Sequence, residues 1–260
     1  RSLSDERDEV QAQQRRRESL TAFDKARSYY RSLVDDEVRA PRHLRVMSQY
    51  QIVRASYQTE DYEGVVSETR ILLDRFPGSQ YEDAALYDRG WAYYHMERYR
   101  ETIATFEELL AVSEDALKRD RSLFQMGESH DQLGEREQAR ARYRRLVDQY
   151  DFTALSNREL LAMKAQRLRG LVKETTRELV AKAQIRIGDS YASEAQVSEA
   201  IAAYSKVPLN YPQETLIVQK SYDNMATMVL EQQGVDPGVR ILRQAIQQVE
   251  DTYFRGRAQL

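Results

Sequence analysis

Residues 180–212 read VAKAQIRIGDSYASEAQVSEAIAAYSKVPLNYP, and the spacing inside this stretch decides the fold. Ile187-Gly188 is followed by Tyr191, then by Ala200, then by Tyr204 four residues later, and Pro212 closes the segment. Apolar residues recur at helical intervals on both sides of a short polar stretch, which predicts two helices joined by a turn. Gly188 late in the first helix and Ala200 early in the second leave room for two antiparallel backbones to approach. The ring of Tyr204 then plugs the space between them.

The same internal spacing recurs along the chain. One copy has Gly90, Tyr93, Thr102 and Phe106, and another has Met126-Gly127, His130, Ala139 and Tyr143. Upstream, Tyr62 and Leu72-Leu73 match Tyr99 and Leu109-Leu110 at an offset of 37 residues and Pro77 ends the unit, with Val53 where the others carry glycine. A fifth copy surrounds Ala226, Leu242 and Ala245, with Gly238 inside its second helix. The pattern L-G-x2-Y, A-x3-F, P is that of the tetratricopeptide repeat, and the chain resembles that family over about residues 44–250. The resemblance implies an all-α, right-handed solenoid of about four to five helix-turn-helix repeats, with an N-terminal capping helix, a helical insertion and a concave groove.

The domain organisation follows from the intervals. Gly90 to Gly127 spans 37 residues and Gly188 to Ala226 spans 38, but Gly127 to Gly188 spans 61. Residues 154–180 therefore read as a helical insertion between repeats 1–3 (42–153) and repeats 4–5 (181–250). Ser156 and Glu159 make a capping box ahead of Leu161, Leu168, Val172, Leu179, Ala183 and Ile187, either one long helix running into the fourth repeat or a separate hairpin. Before the repeats, Leu20, Phe23, Ala26, Tyr30, Leu33 and Val34 predict a capping helix over 18–41 that Pro41 ends. Residues 1–17 read as a polar extension or linker, and 251–260 as a C-terminal tail.

Composition agrees with a helical repeat protein. Among 260 residues there are 10 Gly and 5 Pro, few for the length, so long helices and short turns are expected. The absence of Cys excludes disulfides and thiol catalysis. No apolar run is long enough for a membrane span, and a chain beginning at Arg1 is expected to be processed or part of something longer, with any lipid anchor outside it. Net charge is −3 but unevenly placed: residues 1–135 carry −7, 136–186 carry +7 and 187–260 carry −3. Arg136, Arg140 and Arg144 with Lys164, Arg167 and Arg169 form a candidate basic contact surface. The weightier reading is a helix face whose charge meets acidic neighbours, and a pI of about 5.8 argues against a nucleic-acid partner.

Motifs for chemistry are missing. His43, His95 and His130 have no ligand spacing, and no nucleophile elbow or phosphate-cradling glycine loop occurs, so neither metal nor cofactor is expected and the chain reads as a non-enzyme. His130, in the place of the repeat tyrosine, is expected to be a packed core residue. What remains is the groove, which the resemblance assigns to the first helix of each repeat. Carried by the repeat spacing, its face holds Tyr50, Arg54 and Tyr57, then Tyr87, Trp91, Tyr94 and His95, then Phe124, Glu128 and Asp131, then Ile185 and Asp189. One end is aromatic and the other acidic. Aromatics are strong interface anchors, which suits a protein or peptide segment with apolar anchors. Glu128 and Asp189 stand where co-chaperone members of the family clamp a terminal carboxylate with Asn and Lys, so that role is not expected here.

Leu72–Tyr81 (LLDRFPGSQY) and Tyr99–Leu110 (YRETIATFEELL) are similar to repeats of bacterial envelope lipoproteins of the β-barrel assembly and Tol-Pal coordinator types. This implies a scaffold in a larger envelope complex, in the periplasm or at the periplasmic face of the outer membrane. The alternative is a regulatory or recruiting repeat domain of a larger cytosolic enzyme or of a secretion or motility machine.

Overall fold

The computed structural model describes residues 3–150 and 176–233, with 237, 238, 240–244 and 247. The chain is all-α. Its first compact unit, Arg1–Glu114, holds α1 (Leu3–Asp35), α2 (Arg42–Gln58), α3 (Tyr62–Arg75), α4 (Glu82–His95) and α5 (Tyr99–Val112). The second, Asp115–Leu260, holds α6 (Ala116–Gln132), α7 (Arg136–Val147), α8 (Thr176–Ser193), α9 (Val197–Asn210) and α10 (Thr215–Gln233). Consecutive helices pair as α2/α3, α4/α5, α6/α7 and α8/α9, the four helix-turn-helix units expected from the spacing. Among the described residues, no helix is long and apolar enough to cross a membrane.

The N-terminal region differs from the expectation. Residues 3–17, read as a polar extension or linker, form the first turns of α1, which runs unbroken to Asp35. Neither Gly nor Pro interrupts residues 1–40, and Gln14 donates to Glu18 one turn on at 2.8 Å, so local propensity carries a helix with little apolar face. Pro41 does not end this helix. An Asx turn does so first, with Arg39 N–H donating to Asp36 at 2.9 Å, and Pro41 becomes the N-cap of α2. Arg45 and Arg75 donate to the carbonyl of Val34 at 3.0 and 3.3 Å, satisfying an acceptor at the end of α1. Val34 joins Val46, Ile52 and Phe76 in one buried cluster with Tyr30 against it, so α1 covers the first repeat as a cap.

Within the repeats the glycines do what their spacing implies. A methyl group at Gly90 would stand 2.7 Å from Cζ of Phe106. At Gly127 it would stand 2.7 Å from Cδ1 of Tyr143, and at Gly188 2.9 Å from Cζ of Tyr204. Each ring lies on bare helix backbone. The first repeat inverts the pair: the large residue, Val53, is on α2, and α3 offers Thr69 at the position of the ring, both fully buried. A second shared contact was not evident in the spacing. Gln49 and Gln184, four residues before the small position, donate to the carbonyls of Glu68 and Ala203 in the partner helix, both at 2.9 Å.

All four first helices end the same way. The N–H groups of Asp61, Arg98, Glu135 and Gln196 reach back five residues to the carbonyls of Ser56, Tyr93, His130 and Tyr191 at 2.9 to 3.0 Å. The residue before each is left-handed: Glu60 at φ 60°, Glu97 at 59°, Gly134 at 74° and Ala195 at 57°. This Schellman turn favours glycine, yet three repeats accept a side chain there.

In the second unit α7 packs directly on α8, and α6 touches α8 as α2 touches α4, so the stack continues from the third repeat to the fourth despite the longer interval. The insertion read over 154–180 lies outside the described residues except for 176–180. These belong to α8, where Arg177, Leu179 and Val180 are buried. Helix α9 runs through Pro208 to Asn210 rather than breaking. Pro208 has no N–H for the carbonyl of Tyr204, and the Ser221 hydroxyl of α10 takes its place at 2.7 Å. The second helix of the fifth repeat is described only in part. The tail over 251–260 lies outside the described residues.

Asp120 of α6 is buried. Its Oδ2 accepts from the Tyr150 hydroxyl at 2.6 Å while Oδ1 has no hydrogen-bond partner. Loss of hydration raises its carboxyl above the ordinary carboxylate range, against the opposing pull of the Tyr150 hydrogen bond and Arg119. The folded state therefore holds this proton more tightly than the unfolded chain. Asp120 costs stability as pH rises from the unfolded to the folded value, and the cost persists above that window. Asp120→Asn should gain stability relative to wild type between pH 4 and pH 7, read from urea midpoints. A flat difference would mean that Asp120 is not held in the desolvated setting seen here.

Candidate functional site

The aromatic residues of the first unit form a continuous shelf. Tyr57 on α2 donates or accepts across to His95 Nε2 on α4 at 3.4 Å, and Tyr62 at the start of α3 stacks on His95 with centroids 4.8 Å apart. Trp91 meets Tyr94 edge-on at 6.0 Å, and Tyr94 meets Tyr99 of α5 at 5.7 Å. His95 is exposed and the rings around it are half-buried. Burial, then the Asp88 carboxylate, pushes the Tyr57 phenol up to about 12, so it stays a neutral hydrogen-bonding group.

The other predicted groove residues of this unit are partly committed to the fold. Tyr50 stacks on Tyr81 at 4.9 Å and donates to Asp88 at 3.3 Å, while Arg54 pairs with Asp88 at 3.4 Å. Tyr87 and Trp91 lie 6.2 and 6.4 Å from Phe106, so one edge of each supports the ring that packs on Gly90. Phe124 belongs to the second unit, where its ring lies 5.6 Å from Tyr143.

The acidic end expected in the second unit is not a free acidic surface. Glu128 accepts from Tyr143 Oη and pairs with Arg186 at 2.9 Å. Asp189 accepts from Tyr204 at 2.7 Å and from Asn224 at 3.1 Å. Asp131 pairs with Arg136 at 2.9 Å. Glu128–Arg186, Asp189–Asn224 and Arg54–Asp88 follow one rule: the residue just after the small position bonds the residue two before the small position in the next repeat. His130 is buried, with Nδ1 2.8 Å from Glu135.

The candidate basic surface also needs correction. Arg140 is 8% exposed, donates to Ser190 at 3.0 Å and Glu194 at 2.6 Å, and lies over the Tyr191 ring at 4.6 Å. Arg144 donates to the Tyr191 hydroxyl, and Arg136 is paired as described. A buried guanidinium with three partners ties α7 to α8 and is not available to a ligand. Lys164, Arg167 and Arg169 lie outside the described residues.

Sequence reasoning missed Tyr62 and Tyr99 as surface residues, because they were read only as markers of the 37-residue offset. Their identity at one register was the available signal: both open the second helix, beside the end of the first. Among the described residues, no group of three His, Cys, Asp or Glu could hold a metal ion.

A family model described as tetratricopeptide repeat matches residues 84–112, 121–153 and 182–214, covering α4/α5, α6/α7 and α8/α9, the pairs in which a ring packs on glycine. The unmatched first pair is the one that inverts the glycine and ring. The chain is similar in fold to MamA, at 15% identity over 78% of this chain and 96% of that one, with a TM-score of 0.50. BtubC (BKLC) from P. vanneervenii shares 13% identity over 92% of each chain at a TM-score of 0.57, and the apo form of RapI 12% over 82% and 73% at 0.51. No curated protein matches the sequence.

Proposed function

We propose that this chain is a non-catalytic scaffold that holds a segment of a partner protein on the aromatic shelf of its first unit. The observation that carries the reading is the run of rings from Tyr57 and Tyr62 through His95, Trp91 and Tyr94 to Tyr99, drawn from four helices of two adjacent repeats. Rings bury large area at low entropic cost, and half-buried tyrosines and tryptophans are the side chains that dominate binding hot spots. A larger complex in the bacterial envelope is the setting we infer, supported by the likeness of 72–81 and 99–110 to envelope lipoprotein repeats. An export signal and a lipid-anchor Cys in the full gene would test it.

The scaffold reading is tested by capturing partners from the chain's own organism with wild type and with Trp91→Ala/Tyr94→Ala, identified by mass spectrometry. A double variant with wild-type helicity should lose its partners. If it stays folded and keeps the full set, the shelf is not the site.

A further inference from the structure

The C-terminal half of α1 carries the sequence of a repeat's second helix. Residues 26–35 (ARSYYRSLVD) and residues 139–148 at α7 (ARARYRRLVD) are identical at seven of ten positions. Ala26 matches Ala139, Tyr30 matches Tyr143, and Leu33-Val34 matches Leu146-Val147. The contacts with the following helix correspond too. Arg140 donates to Ser190 and Glu194 at the end of α8, and Arg27, its counterpart, donates to Ser56 at 3.3 Å and Asp61 at 2.8 Å at the end of α2.

The two helices differ on the opposite face. Ala139, Tyr143 and Leu146 are at most 1% exposed, because α6 lies on them with Gly127 against the Tyr143 ring. Ala26, Tyr30 and Leu33 are only half-buried, and Tyr29 beside them is 67% exposed and meets Tyr30 edge-on at 6.3 Å. The helix that α1 packs on is α2. In the complete units the glycine stands sixteen residues before the ring. That position here is Gln14, within α1 itself, so the residues ahead of Ala26 run straight on instead of folding back over Tyr30. Among the described residues, α1 is a second helix without its first.

We propose that the face of Ala26, Tyr30 and Leu33 is a docking site for one helix of a partner protein, which completes a repeat by laying a glycine or alanine on the Tyr30 ring. The chain itself shows what fits such a face. Phe106, Tyr143 and Tyr204 are each covered by a first helix with glycine at the contact, and the open place on α1 continues that stack. Close approach of the two backbones is what buries the ring, and only a small residue permits it. A second copy has no such helix to spare, since α4, α6 and α8 already lie on their own rings. The site is separate from the aromatic shelf and stands whether or not the shelf binds a partner.

The probe is a stapled helical peptide of residues 116–132, the sequence that covers the matching face of α7, titrated against the full chain by fluorescence anisotropy. It should bind. Affinity should fall roughly tenfold when the peptide carries Gly127→Val, and by a similar factor when the chain carries Ala26→Arg, which blocks the approach while leaving α1 a good helix former. Ala22→Arg, at an exposed position one turn earlier, gives a second blocking variant if Ala26→Arg lowers helicity. No binding, indifference to Gly127→Val, or full affinity in a folded blocking variant would each overturn the proposal. Trp91→Ala/Tyr94→Ala should bind the peptide as wild type does, and a loss there would place the peptide on the shelf instead. A chain that is dimeric by light scattering and becomes monomeric with Ala26→Arg would make a second copy the occupant and overturn the partner helix.

Discussion

Gly127→Ala and Gly188→Ala should each lose about 2 kcal/mol of stability, measured as a drop in urea midpoint, although alanine is the better helix former by about 1 kcal/mol. In an exposed helix either change would stabilise. Here the added methyl falls inside contact distance of Tyr143 or Tyr204, rings that are buried and hydrogen-bonded to Glu128 and Asp189 and so cannot swing aside freely. The first repeat supplies its own control. Because Val53 is paired with Thr69, transplanting that pair as Gly90→Val with Phe106→Thr should recover most of what each single change loses. The coupling should be at least about 1 kcal/mol in a double-mutant cycle. Phe106→Thr alone leaves a cavity and Gly90→Val alone an overlap, and the two errors cancel only if the residues are packed against each other. Additive losses would show that they are not.

Arg140→Ala should cost about 3 kcal/mol, against no more than about 1 for Arg144→Ala. Removing the Arg140 guanidinium leaves the Glu194 carboxylate and the Ser190 hydroxyl without their donor and strips a cation from Tyr191, all at the contact between α7 and α8. Arg144 is exposed and keeps one edge in water. The two residues sit one turn apart on the same helix, so propensity and net charge change alike in both variants. Equal, small losses would return Arg140 to the surface role that its sequence suggests.

That contrast marks where the sequence is legible. Repeat spacing is readable because it is local: a glycine, a ring sixteen residues later and a tyrosine three residues after the glycine describe one helix pair, and the pair folds as its spacing says. The aromatic shelf is readable in part for the same reason, since Tyr87, Trp91, Tyr94 and His95 share one face of α4. Tyr62 and Tyr99 escape because they enter the shelf from the next helix, through a turn whose left-handed residue is Glu rather than the expected Gly. The positive block is readable only as charge that needs a counterpart, because charge in a sequence says nothing of burial or of which neighbour supplies it. Arg136, Arg140 and Arg144 are matched by Asp131, Glu194 and Tyr191, partners that lie between 5 and 54 residues away.

By itself, the sequence determined the helix pairs, their number up to the fourth and the small-against-large contact at the heart of each. Those follow from periodicity and side-chain volume within about forty residues. Tertiary structure alone decided which charges are spent. Whether Glu128, Asp189 and Arg140 face a partner or each other depends on the stacking of one repeat on the next, which brings Arg186, Asn224 and Glu194 within hydrogen-bonding distance. Ion pairs and cation–π contacts act over a few ångströms, and only the packed fold sets those distances.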